Sequence, residues 1–283
     1  VGRLRKDFLI NGIIENYERL KKESPLIQQI TNFVSIHEQA NITLAAGARP
    51  IMADCPVEFD DIIAQADALL LNIGTINDKR RDAILQANET ARKYKVPVVL
   101  DPVGVGASSY VRELALELLE SGNISIVKGN AGEIFSLVGI QLSEGVSGVD
   151  YVGEDIMELP AEELKKLPEF SRKYGLVTVI TGEKDLLIDS ENQLLCSNGV
   201  PLLAGITGSG CMAGSLLASY LAICADPLLA ALTGISILCI SAELAAREAS
   251  GPGSFRILLH DRLASLEADE IRERLKFEFI ELA

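Results

Sequence analysis

Apolar residues recur along this chain in two alternating rhythms. Short, mostly apolar runs stand at Leu26–Ile30, Pro50–Met52, Ala68–Ile73, Val96–Leu100, Ile124–Val127 and Leu176–Ile180. Runs this short, without a polar face, predict strands buried on both sides. Helical spacing fills most gaps between them, at residues 34–46, 58–65, 79–94, 109–120 and 131–138. In 109–120, Leu114, Leu118 and Leu119 fall on one face. Strand–helix alternation of this kind predicts a parallel sheet with helices on both faces.

The second half changes rhythm. Residues 141–153, with Gly145, Gly148 and Gly153, read as a surface loop, and a polar helix is expected at about 155–174. Asp185–Ser197 predicts a hairpin, Leu186-Leu187-Ile188 and Leu194-Leu195-Cys196 around a polar turn. After a Gly-rich turn at 205–211 the pattern is almost wholly helical. Apolar stretches at 212–225 and 227–242 are split by Asp226-Pro227, and Gly251-Pro252-Gly253 precedes a last helix at 254–266. No repeat or low-complexity segment divides the chain, so residues 1–283 are expected to form one α/β domain.

Composition narrows the possibilities. Apolar residues make up 48% of the chain, aromatics only 5%, and Trp is absent, so the core relies on Leu, Ile, Val and Ala. A net charge of −14 argues against general nucleic-acid binding, which needs a basic footprint. It leaves room for a small anion held by backbone N–H groups. The two long apolar stretches each fall short of the roughly 18 residues a membrane span needs, and are expected to form a buried helical pair. The apolar run Phe8-Leu9-Ile10 is interrupted by Asn11, Gly12 and Glu15 too soon to read as a signal peptide. Cysteines at 55, 196, 211, 224 and 239 show no CxxC pair, which suits a reduced, cytoplasmic protein. Only His37 and His260 are present, too few for a multi-histidine metal site.

Candidate chemistry gathers at strand ends, where open α/β sheets bind ligands. Gly205-Ile206-Thr207-Gly208-Ser209-Gly210-Cys211 leads into a helix N-terminus, so the N–H groups of Gly208, Ser209 and Gly210 suit a phosphate. Such a turn can also serve only to pack a helix against a strand. Cys211 stands in the first turn, where a thiolate is stabilised, although no histidine partner is near in sequence. Asp101 ends an apolar run and can hold Mg²⁺ or merely stabilise its turn. In Lys128-Gly129-Asn130-Ala131-Gly132-Glu133, Lys128 can meet a phosphate, while Asn130 and Glu133 have the spacing of a capping box. Thr181-Gly182, Thr31-Asn32 and Asn72-Ile73-Gly74-Thr75 end three more strands with polar groups.

Taken in order, these motifs, with Pro50-Ile51-Met52-Ala53 and Gly251-Pro252-Gly253-Ser254-Phe255, resemble the hydroxyethylthiazole kinase family of thiamine salvage, within the ribokinase-like superfamily. The resemblance runs from about Pro25 to Leu266. It implies a ribokinase-like three-layer sandwich around a mostly parallel sheet. It also implies ATP- and Mg²⁺-dependent phosphorylation of 4-methyl-5-(2-hydroxyethyl)thiazole by a homotrimer with interfacial sites. By motif match, Met52, Gly208 and Asn32 would line the thiazole site, and Lys128, Thr181 and Asn130 the ATP site. Asp101 and Glu133 would organise Mg²⁺, largely through water, and Cys211 would lie near the attacking hydroxyl. Cys211 separates this branch from related kinases that carry aspartate there. Two departures stand out: Lys128 replaces the family's usual arginine, and Ser35–Asn41 is more polar than the usual apolar version. The alternatives are a kinase of the hydroxymethylpyrimidine phosphate type, a hydrate dehydratase, and a non-catalytic thiazole- or nucleotide-binding protein.

Overall fold

The computed structural model describes residues 2–140 and 159–282. In chain order the elements are α1 (Gly2–Glu23), β1 (Leu26–Ile30), α2 (Ile36–Ala46), β2 (Arg49–Ile51), α3 (Phe59–Ile63), β3 (Ala68–Asn72), α4 (Asp78–Tyr94), β4 (Val98–Asp101), α5 (Ser109–Glu120), β5 (Ile124–Asn130) and α6 (Ala131–Val138). They continue as α7 (Ala161–Tyr174), β6 (Val177–Thr181), β7 (Asp185–Ile188), β8 (Gln193–Cys196), α8 (Ser209–Leu221), α9 (Pro227–Ala246), α10 (Pro252–Ser265), α11 (Ala268–Arg274) and β9 (Phe277–Phe279). A nine-stranded sheet runs β2-β1-β3-β4-β5-β6-β7-β8-β9. The first six strands in that order are parallel, and β7, β8 and β9 continue antiparallel.

The two-residue period of a strand sorts its side chains between two cores. On one face Ala68, Leu70, Val99 and Val179 pack beneath α1, α2, α8, α9 and α10. On the other Leu69, Leu71, Val98, Leu100 and Ile180 pack beneath α3 to α7. This is the expected three-layer α/β sandwich. All six predicted parallel strands and the hairpin form, within two residues of the expected bounds except at the end of β5, which runs three residues further to Asn130. The 141–153 loop lies outside the described residues, and the helix after it is described from Ala161.

Three elements exceed the sequence reading. α1, α11 and the short β9 are not signalled by the apolar pattern. The second apolar stretch also extends beyond 242, because α9 runs 20 residues. That is long and apolar enough to cross a membrane by length and composition, yet 94% of its apolar window is buried inside the fold. α9 is core: it packs on α8, on α10 and on the sheet.

Candidate active site

Parallel register places the C-terminal ends of β1, β3, β4 and β5 side by side, and each contributes a polar side chain. Asn72 stands opposite Asp101 in the β3–β4 register. Its Nδ2 donates to Asp101 Oδ2 at 2.7 Å. Its Oδ1 accepts from Asn32 Nδ2 at 2.9 Å and from the Gly74 N–H at 3.1 Å. Lys128 Nζ lies 3.4 Å from Asp101 Oδ1. The result is one continuous polar row, Asn32–Asn72–Asp101–Lys128, across four strand ends. Asp101 is fully buried, and Lys128, Asn32 and Asn72 are nearly or fully so.

Helix α8 enters above this row. Gly208 adopts φ +85 as its N-cap residue, a conformation that disfavours any side chain. A Cβ there would also approach Ser35 Cβ to 3.0 Å. The first N–H to bond back within the helix is that of Met212, to the Gly208 carbonyl at 2.8 Å. The N–H groups ahead of it, on Ser209, Gly210 and Cys211, are those a helix cannot satisfy from its own turn. Lys128 Nζ lies 3.0 Å from where a Cβ of Gly210 would be, so an ammonium sits directly against this turn. Phosphate-like charge is favoured at such a place by the helix dipole and the cation together.

Cys211 closes the cluster. Its Sγ receives Asn72 Nδ2 at 3.2 Å and Asn32 Nδ2 at 3.5 Å. Burial, followed by the charge of Asp101, nevertheless pushes the thiol above its usual range, against Lys128 and hydrogen bonds with Ser35 and Asn32. This corrects the expectation of a stabilised thiolate: the helix N-terminus is present, but desolvation and a neighbouring carboxylate outweigh it. Burial also pushes Asp101 up to about 6; Lys128 opposes the rise and Glu133 adds to it. Burial pulls the Lys128 ammonium down, but Asp101 and Glu133 outweigh it, and its pKa ends above that of an ordinary lysine.

The remaining candidates form a second group at the ends of β5 and β6. Asn130 and Glu133 make a full capping box: the Glu133 N–H donates to Asn130 Oδ1 at 2.8 Å, and the Asn130 N–H donates to Glu133 Oε2 at 2.9 Å. Glu133 Oε1 accepts the Gly104 N–H at 3.1 Å, tying the loop after Asp101 to α6. Thr181 stands opposite Asn130 in register and donates to the Gly129 carbonyl at 3.3 Å. Met52 follows the edge strand β2 and is half-buried. Asn72 is the residue whose central place the sequence reading missed; the signal was a lone amide ending the run Ala68-Leu69-Leu70-Leu71.

A hard cation requires oxygen ligands. Asp101 and Glu133 supply them, but each carboxylate oxygen already accepts a hydrogen bond from protein. Among the described residues no three His, Cys, Asp or Glu side chains stand close enough to hold a metal. The donor set therefore fits an ion bound largely through water and phosphate oxygens, as Mg²⁺ commonly is, and not an all-protein cage.

Comparison with known proteins adds to this geometry. The hydroxyethylthiazole kinase family model matches residues 17–269. A hydroxyethylthiazole kinase of Archaeoglobus fulgidus is 40% identical over 261 residues, covering 92% of this chain and 93% of that protein. A solved hydroxyethylthiazole kinase structure from Pyrococcus horikoshii OT3 superposes with a TM-score of 0.85 at 34% identity, covering 95% of this chain and 99% of that one. A ribokinase-like superfamily protein from Enterococcus faecalis shares the fold at 13% identity, with a TM-score of 0.57 over 88% of each chain.

Proposed function

Because this chain belongs to the hydroxyethylthiazole kinase family, we propose that the polar row and the α8 N-terminus together form its phosphoryl-transfer site. The chain is a phosphotransferase of that family, and ATP use follows from membership. The acceptor is 4-methyl-5-(2-hydroxyethyl)thiazole, with Asn32, Met52 and Gly208 on the acceptor side. Lys128, Asn130 and Thr181 face the nucleotide. The observation that carries this reading is the meeting of Asn32 and Asn72 at Cys211, with Asp101 bonded to Asn72, beside N–H groups that lack intrahelical partners.

Phosphoryl transfer depends mainly on positioning and on charge stabilisation. The acceptor hydroxyl attacks the γ-phosphate in line: its O–P bond forms as the bond from the γ-phosphorus to the β–γ bridging oxygen breaks, ADP departs, and the hydroxyl proton passes to an oxygen of the transferred group or to water. The N–H groups at the Gly208–Cys211 turn, backed by the Lys128 ammonium, stabilise charge on the transferring group. Mg²⁺, held through water by Asp101 and Glu133, would neutralise phosphate charge when bound. Asn32 and Asn72 hold Cys211, and the neutral thiol orients the hydroxyl instead of removing its proton. Phe33 and Val34, which directly follow Asn32, are large apolar side chains left exposed. They support sites completed at subunit contacts in a homotrimer, which sedimentation would test.

The decisive experiment couples ADP release to addition of the thiazole alcohol and identifies the product by mass. Thiazole-dependent ADP release with a mass gain of one phosphate is expected. Measurable binding of ATP and thiazole without turnover would reduce the chain to a binding protein.

A further inference from the structure

The segment Thr31–Ser35 forms the acceptor-side wall, and it is gripped from two directions. From within, Gln39 of α2 donates through Nε2 to Thr31 Oγ1 and, at 2.8 Å, to Ser35 Oγ. Ser35 Oγ in turn donates to Asn32 Oδ1 at 3.1 Å. Gln39 Oε1 faces Ser215 Oγ of α8 at 3.4 Å, and Ser215 donates to Gln29 Oε1 at 2.8 Å. Gln39, Ser215 and Gln29 are fully buried. Of the polar residues in the segment Ser35–Asn41, Ser35 and Gln39 are buried and point inward, whereas His37 is exposed.

From outside, Arg80 of α4 donates through Nη2 to the Thr31 carbonyl at 2.5 Å. Arg80 lies in the first turn of α4, where a cation is disfavoured by the helix dipole. Its Nε is buried without a hydrogen-bond partner. Neither fact helps α4, so the residue's gain lies at Thr31, through a charge-assisted bond to a strand end.

Between the two grips sits Asn32, with every amide atom engaged. Oδ1 accepts the Val34 and Ser35 N–H groups, each at 3.0 Å, and the Ser35 hydroxyl. Nδ2 donates to Asn72 and to Cys211. Whatever fixes Thr31 and Ser35 therefore fixes the donor that faces Cys211.

We propose that Gln39 and Arg80 are positioning residues of the acceptor side, acting through Thr31 and Ser35 to hold the Asn32 amide against Cys211. The proposal rests on the reading above that Asn32 and Cys211 face the acceptor. A buried polar network costs stability relative to apolar packing unless it is fully satisfied, and it fixes geometry in a way that apolar contacts do not.

The test uses the full chain in a Cys55→Ser background, because Cys55 is the one exposed thiol among the described cysteines. Arg80→Met and Gln39→Met are expected to lower kcat/KM for the thiazole alcohol about tenfold while KM for ATP stays within twofold. Arg80→Lys, which keeps a charged donor, is expected to recover most of the loss. The double variant is expected to cost little more than the worse single one, because both act through one loop. An activity-independent readout is iodoacetamide labelling of Cys211, followed by peptide mass. Its rate is expected to rise severalfold in Arg80→Met and in Gln39→Met as Asn32 loosens. The proposal is overturned if both variants lower only the melting temperature, or if acceptor and ATP constants move together with unchanged Cys211 labelling. If the parent chain fails to phosphorylate the thiazole alcohol, the functional reading fails, and the labelling rates alone decide the positioning role.

Discussion

Helix α8 presents two different faces to its neighbours. Toward α9 it offers Leu217, packed so closely that a Cβ on Gly234 would touch it at 3.2 Å. Toward α2 and β1 it offers Ser215, bonded to Gln29 and facing Gln39. The first interface is apolar and close-packed, and its contacts are not directional. The second is directional, because each hydrogen bond fails when its partner turns. One helix thus takes its stability from one side and its register from the other, and its N-terminus, the proposed place of the chemistry, inherits that register.

The comparison breaks most sharply at the polar end. Asp101→Asn leaves the Lys128 ammonium buried without its countercharge, a loss of about 3–5 kcal/mol on the scale of broken buried pairs. Activity is expected to fall by at least about a hundredfold, as when a preorganised charged group is lost. Urea unfolding and the coupled assay measure the two effects; unchanged stability would deny the pair its structural part. On the apolar face, Leu217→Ala is expected to cost about 2–5 kcal/mol by opening a cavity. Here kcat should hold at temperatures where the variant stays folded, and a kcat loss matching that of Asp101→Asn would erase the distinction between the faces.

The α9 side carries one buried carboxylate of its own. Asp185 accepts the Gly182 N–H at 3.1 Å and lies 3.5 Å from Cys239 Sγ. Burial pushes its pKa up to about 6, opposed by Gly182, Cys239 and Lys128. The folded state thus holds this proton more tightly than the unfolded chain does. That contribution is fully present below about pH 4 and is lost as pH rises through about 6, with a ceiling of about 3 kcal/mol. Asp185→Asn, which cannot ionise, should gain stability relative to the parent at pH 7.5 and lose the advantage at pH 4. Parallel stability curves across that range would contradict a buried, pH-dependent cost. The smallest effect is expected at Cys211. Because its thiol stays protonated, Cys211→Ser should reduce kcat by about tenfold or less; a thousandfold loss in steady-state kinetics would give sulfur a direct part in proton transfer.

Much of this was legible in the residues. Strands buried on both faces announce themselves as short apolar runs, so β1 and β3 to β6 stood out, and with them the polar residues at their ends. Asn32, Asp101 and Cys211 were visible because their residue types contrast with the runs beside them. What could not be read was contact. That Asn72 reaches Asp101 depends on the β3–β4 register, and that Lys128 turns inward depends on the same strand neighbours. The polar residues of α2 were visible, but which of them meet α8 is a matter of helix rotation. Helix α1 was hidden because Gly12 looks like a breaker. In the fold it lets α1 lie close against α9, since a Cβ there would lie 2.8 Å from Leu229 Cδ2. Strand β9 is three residues long and owes its pairing to β8, not to its own pattern.

Among the described residues β2 and β9 are the outermost strands of the sheet, and each is guarded. Strand β2 is only three residues long and carries Pro50, which has no N–H to offer a newcomer, beside the exposed Arg49. Strand β9 is equally short and places the charged, exposed Glu278 between its two phenylalanines. A proline, a short strand and an outward charge are the means by which sheets refuse strand addition. A sheet this wide would otherwise be an open template for a neighbour's backbone. Its two outermost strands disfavour open-ended growth of the sheet by added backbone.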